Sequence, residues 1–149
     1  MSKVSIIIPA RGENPENIKR TLNSIFDNAT GDIEVIIGFD GGSQLIADSI
    51  TTGYSSDIKT IVFPSTVGIK TNINAMCAMA TGKYIYKSDA HCSFSKGFDE
   101  ILQADMQPDW IVTPRFYVLN GETWEWQDER FYDYFYLCCP FTDPKGFRF

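Results

Sequence analysis

The sequence predicts an α/β fold, a mostly parallel sheet flanked by helices in a single compact domain over residues 1–149. Three observations predict it. β-Branched runs alternate with amphipathic stretches, the runs are apolar throughout as in strands buried on both faces, and glycine or proline punctuates most junctions. Val4 to Ile8 is the first such run and ends at Pro9. Asn14-Pro15-Glu16 then reads as a helix start, with Asn as N-cap, Pro at the first helical position and an acid in the first turn. Ile18, Leu22, Ile25 and Phe26 give that helix one apolar face.

Ile33 to Phe39 makes a second strand, closed by Asp40-Gly41-Gly42-Ser43, and Ser43 caps a weaker helix through Leu45, Ile46 and Ile50. Ile58 to Phe63 is the third strand. Ile69, Ile73, Met76, Cys77 and Ala80 mark a further helix that Gly82 is placed to end. Tyr84 to Lys87 is a fourth strand running into Ser88-Asp89-Ala90-His91. Ser95 to Ala104 reads as helix, and Trp110 to Thr113 as a fifth strand. Residues 1–115 thus form an α/β core, and residues 116–149 an acidic, aromatic tail serving the acceptor side or an interface.

Composition narrows the function. Hydrophobic residues at 44% and charged residues at 21% place the chain among folded globular proteins and exclude a disordered one. A formal net charge of −6 argues against a nucleic-acid backbone as partner but leaves room for a nucleotide, whose phosphates a metal can neutralise. No apolar run approaches the ~20 residues that span a bilayer, and Met1-Ser2-Lys3 runs straight into a strand rather than a signal peptide, so the expected location is cytoplasmic. Cys77, Cys92, Cys138 and Cys139 lack metal or disulfide spacing and read as free thiols.

Parallel strands joined by helices gather ligands at their carboxyl ends. Ala10-Arg11-Gly12-Glu13, Asp40-Gly41-Gly42 and Asp89-Ala90-His91 each follow a strand and therefore line one rim. Asp89 and His91, alternate residues beyond a strand, can face one ion; a carboxylate with an imidazole and open positions suits Mn²⁺ and tolerates Mg²⁺. A histidine that merely packs in a loop fits the same spacing. Asp40 offers a carboxylate beside a glycine turn, which a plain strand-to-helix turn also explains. Arg11 and Lys70 are candidate cations for a phosphate.

Val4-Ser5-Ile6-Ile7-Ile8-Pro9-Ala10, Thr21-Leu22-Asn23-Ser24-Ile25, Glu34-Val35-Ile36-Ile37 and Asp40-Gly41-Gly42-Ser43 together resemble the opening half of family 2 glycosyltransferases. Gly68-Ile69-Lys70, Ala80-Thr81-Gly82-Lys83-Tyr84-Ile85 and Asp89-Ala90-His91-Cys92 look more like the polypeptide N-acetylgalactosaminyltransferases, whose metal motif is Asp-x-His where most relatives carry Asp-x-Asp. The resemblance covers about the first hundred residues. It implies a GT-A (Rossmann-like) fold and a nucleotide-sugar donor, with Asp40 on a uracil base and Pro9, Ala10 and Arg11 against the nucleoside. Gly68 and Lys70 would lie beside the donor sugar or phosphates, and Asp89 and His91 would hold Mn²⁺ on the diphosphate. Asp40 is followed by Gly41, so the second Asp of the family 2 turn is missing. His91 is the one histidine, so Asp128, Glu129, Asp133 or water must complete a metal shell for which the relatives use a further histidine.

The expected reaction is metal-dependent transfer of a sugar from a UDP-sugar to an acceptor hydroxyl. Inversion calls for a general base, for which Glu125, Asp128 and Glu129 form the acidic cluster, with Asp128 and Glu129 as the catalytic candidates. The Asp-x-His resemblance points instead to retention, leaning on diphosphate and metal electrostatics. Trp124, Trp126 and Tyr132 either stack on sugar rings or cover a sheet edge. A homodimer is a further expectation. The chain is shorter than the family's usual catalytic domain, so a nucleotide-sugar binding module with residual hydrolysis is the alternative reading. A nucleotidyltransferase ranks below it, because Pro9-Ala10-Arg11-Gly12-Glu13 falls short of a glycine-rich basic loop.

Overall fold

The computed structural model describes residues 2–54, 57–104 and 106–127, together with backbone strands at 128–130, 136–137 and 147–148. Four strands, β1 (Val4–Ala10), β2 (Ile33–Asp40), β3 (Ile58–Phe63) and β4 (Tyr84–Lys87), form one sheet in the order β3-β2-β1-β4. Every pairing is parallel, with Val4 opposite both Ile33 and Tyr84. Four helices alternate with the strands: α1 (Pro15–Asn28), α2 (Gln44–Thr51), α3 (Ile69–Met79) and α4 (Phe98–Ala104).

The apolar runs become the two central strands because each of their faces is covered. Ile6, Ile8, Val35 and Ile37 pack on Ile18, Leu22 and Ile25 of α1, Ala47 and Ile50 of α2, and Phe98 of α4. Ile7 and Ile36, on the other face, pack on Met76 of α3. The chain thus steps from β1 to β2 to β3 across one face and returns over the opposite face through α3 to lay β4 beside β1. Asn14 caps α1 as its sequence predicts, accepting the Glu16 N–H at 3.0 Å, and Ser43 Oγ caps α2 from the Ile46 N–H at 3.4 Å.

Three local expectations are corrected. Trp110 to Thr113 forms no strand; Asp109 takes a φ of 67°, Pro108 and Pro114 bracket the segment, and Ile111 is 96% exposed. α4 begins at Phe98 rather than Ser95, because the Gly97 N–H is drawn aside to the Asn28 carbonyl at 2.7 Å. α3 ends at Met79, with Ala80 as its extended C-cap, and not at Gly82. Gly82 serves a close approach instead: a Cβ there would lie 2.6 Å from the Ser5 backbone nitrogen and 2.8 Å from the Lys3 carbonyl oxygen.

At the amino rim of the sheet, Glu34 is buried to 1% exposure and fully bonded. It accepts from Ser5 Oγ at 2.6 Å, Lys59 Nζ at 2.7 Å, and the Thr81 N–H and hydroxyl at 2.6 and 2.9 Å. Burial pushes its carboxyl pKa up, but the bonds from Lys59, Ser5 and Thr81 outweigh that and hold it well below the carboxylate range. This ion is a structural pin joining β1, β2, β3 and the α3–β4 turn.

The chain divides into two compact units, residues 1–106 and 107–149. The first is the α/β domain described above. The second contains the antiparallel pair β5 (Tyr117–Leu119) and β6 (Trp126–Arg130), and the pair β7 (Tyr136–Leu137) and β8 (Phe147–Arg148). In the β5–β6 turn, Asn120 Oδ1 accepts the Glu122 and Thr123 N–H groups, while Tyr117 and Trp126 stack with rings 4° from parallel. Among the described residues, no helix is long and apolar enough to cross a membrane.

Candidate active site

Strand order reverses at β1, with β2 and β3 on one side and β4 on the other; ligands of open α/β sheets collect at the carboxyl ends beside such a reversal. The two segments that leave this point touch. Glu13, after β1, places Oε2 3.3 Å from Nδ1 of His91, after β4. Ala10 is buried at 3%, Pro9 half-buried, and Arg11 exposed.

The Asp89-Ala90-His91 segment alternates outward, inward, outward. Ala90 is buried at 1%, whereas the Asp89 and His91 side chains are 57% and 53% exposed. Helix α1 enforces this. Thr21 Oγ1 donates to the Ala90 carbonyl at 3.1 Å and accepts the Cys92 N–H at 3.0 Å, and Ser24 Oγ accepts the Phe94 N–H at 2.8 Å. Behind the segment, the Phe94 and Phe98 rings lie tilted at 42° with centroids 4.6 Å apart, and Tyr86 meets both edge-on at 5.9 Å. Burial, aided by the nearby Cys92 and Asp89, pushes the Tyr86 hydroxyl up to about 12, and burial pushes the Cys92 thiol up as well. Both side chains pack against the core that backs the segment.

Asp40 ends β2 and is 5% exposed. Its two oxygens accept the Val67 N–H at 2.6 Å and the Gly68 N–H at 3.2 Å. The carboxylate thereby folds the β3–α3 connection over the rim and sets Gly68, with φ 86°, as the residue before α3. Lys70 follows, exposed in the first turn of that helix. Asp40 and the segment after β4 are separated by one intervening strand, about 10 Å at ordinary strand spacing.

The structure thus brings the sequence candidates into two groups on one rim: Asp40 with Gly68 and Lys70, and Pro9, Ala10 and Arg11 beside Asp89 and His91. Asp128 and Glu129 fall on β6 in the second unit, and Asp133 and Tyr132 lie outside the described residues. Sequence reasoning missed four contributors. Glu13 lay within a recognised rim segment but no local signal tied it to His91. Lys87, whose Nζ hydrogen-bonds Asp89 Oδ1, read only as the last residue of a strand. Thr21 and Ser24 carried the family likeness, yet their side-chain contacts span about seventy residues.

Among the described residues, no group of three or more His, Cys, Asp and Glu side chains converges to hold a metal alone. A carboxylate and an imidazole alone would leave most positions of a divalent ion to phosphate oxygens and water.

Comparison with known proteins agrees with this architecture. The mannosyltransferase PcManGT from Pyrobaculum calidifontis, solved in complex with GDP-Man and Mn²⁺, superposes with a TM-score of 0.56 at 16% identity, over 64% of this chain and 29% of that one. TarS of S. aureus superposes at 0.58 with 21% identity, over 68% of this chain and 19% of that one. The chain therefore spans less than a third of either neighbour, and the likeness is one of fold, the GT-A arrangement. A search of the curated proteins finds no match. Residues 5–148 match the family described as Glycosyl transferase family 2. The chain belongs to glycosyl transferase family 2.

Proposed function

We propose that the protein transfers a sugar from a UDP-sugar to an acceptor hydroxyl, with the donor laid across the carboxyl rim from Asp40 to Asp89. One observation carries this reading: the outward-facing pair Asp89 and His91 stands at the strand-order reversal, with Asp40 one strand farther along the same rim. That span matches a nucleoside diphosphate lying with its base toward Asp40 and its phosphates toward Asp89.

In this reading Asp40 fixes the β3–α3 connection against the base and keeps acceptor capacity for a base N–H. Gly68 and Lys70 border the donor at the Asp40 end, and Pro9, Ala10 and Arg11 line the rim between that end and Asp89. Asp89 and His91 hold Mn²⁺, or Mg²⁺ in its place, and Glu13 orients the imidazole. The metal supplies positive charge where the diphosphate leaves. Transfer breaks the bond between the anomeric carbon and the diphosphate oxygen and joins that carbon to the acceptor oxygen. The acceptor proton passes to the leaving phosphate in retention, or to a general base in inversion. The neighbour with GDP-Man and Mn²⁺ supports a metal-bound nucleotide-sugar and makes guanine the base to test against uracil.

The test measures nucleotide release from a panel of UDP-sugars and GDP-mannose, with and without Mn²⁺. Release from one UDP-sugar that requires Mn²⁺ and falls roughly a hundredfold in Asp89→Ala and in His91→Ala is the expected result. Release from GDP-mannose alone would move the donor to guanine. Metal-dependent UDP binding without turnover would leave a binding module, and neither binding nor release would overturn the proposal.

A further inference from the structure

Lys87 closes β4 two residues before Asp89, and the alternation of an extended chain sets positions 87 and 89 on the same side. Its ammonium hydrogen-bonds the Asp89 carboxylate. The two side chains are 45% and 57% exposed, so the pair stands in water, where such contacts are weak and exchange readily. Asp89 therefore carries a tethered cation of the protein's own, on the carboxylate that the donor-site reading gives to a divalent ion. His91 is engaged differently, by a carboxylate, which leaves Lys87 as the cation in contact with the pair among the described residues.

A divalent ion that approaches Asp89 alone must displace the ammonium and then endure it as a like charge a few ångströms away. An ion that arrives with a diphosphate meets a different balance, because phosphate oxygens offer the displaced ammonium a new partner. We infer that Lys87 makes metal binding and diphosphate binding depend on each other: it competes with the metal for Asp89 in the empty site and pairs with the diphosphate once the metal has taken that carboxylate. This rests on the donor-site reading above. Lys87 is a positioning residue, and its effect is a coupling between two ligands, reciprocal by thermodynamic linkage.

The experiment measures Mn²⁺ affinity by calorimetry and by Mn²⁺ electron paramagnetic resonance, first without nucleotide and then with saturating UDP. Wild type is compared with Lys87→Met, Lys87→Arg and Asp89→Asn. Lys87→Met is expected to bind Mn²⁺ alone about threefold to tenfold more tightly, while the strengthening of Mn²⁺ binding by UDP shrinks by about tenfold. Lys87→Arg keeps the wild-type coupling, since it keeps the charge. A Lys87→Met protein with wild-type Mn²⁺ affinity and wild-type coupling overturns the inference. If Asp89→Asn abolishes Mn²⁺ binding in that same case, the donor-site reading stands and the inference alone falls. If Asp89→Asn leaves Mn²⁺ binding unchanged, the donor-site reading falls and takes the inference with it.

Discussion

The two rims of the sheet treat a carboxylate in opposite ways. At the amino rim, Glu34 is sealed from water and receives four hydrogen bonds from Ser5, Lys59 and Thr81. At the carboxyl rim, Asp89 stands more than half exposed against the half-exposed Lys87, and His91 meets the carboxylate of Glu13. The first arrangement has no acceptor capacity to spare and no path for a ligand. The second is held in place from behind, by Thr21 and Ser24, while its charged tips stay available. Where a charge sits in its hydrogen-bond network, rather than its residue type, separates a structural acid from one left open to solvent.

The comparison breaks most forcefully at Glu34. Glu34→Ala leaves the buried Ser5 hydroxyl and the Thr81 N–H without their acceptor, and is expected to lower unfolding stability by about 3 kcal/mol in denaturant titration. A loss within about 0.5 kcal/mol would mean that the amino rim is no more committed than the carboxyl rim. The pH dependence sharpens the same point with a known sign. Because the folded-state pKa of Glu34 is depressed, its contribution is present in full above its unfolded value of about 4.3 and fades as pH falls through the folded value. The stability gap between wild type and Glu34→Gln should hold from neutral pH down to about 5 and narrow below about 4. A gap that stays constant to the bottom of the acid range would show that the charge contributes nothing. The smallest effect belongs to the other rim. Asp89→Ala and His91→Ala, which remove metal-dependent release in the proposed reaction, should change unfolding stability by no more than about 0.5 kcal/mol.

Much of this was legible in the sequence because it is written locally. The β-branched runs, the Asn14-Pro15-Glu16 cap and the Ser43 cap declare their structure within a few residues, and the alternation of runs fixes which loops share a rim. What escaped was set by partners far along the chain. Trp110 to Thr113 has the composition of a strand, but composition says nothing of whether a neighbour offers an edge to pair with. Gly82 stands where a helix-ending glycine would, while its actual constraint is the backbone of Lys3 and Ser5 against it. Glu34 looked like one polar residue in an apolar strand, and neither Lys59 nor Thr81 marks itself as its partner. The likeness to a known family reached Thr21 and Ser24 as letters; the structure supplies the reason, since those hydroxyls hold the segment that carries Asp89 and His91.

The placement of β1 has a consequence for synthesis. It lies inside the sheet, yet its pairing with β4 waits until two further α/β units have left the ribosome. Until then the growing chain carries an apolar strand, Val4 to Ile7, with one edge unpaired, the kind of edge on which nascent chains adhere to one another. Arrival of β4 closes that edge, and the same stretch of chain then delivers Asp89 and His91 to the rim. The exposed charges of that segment are thus put in place by the step that closes the open edge of β1.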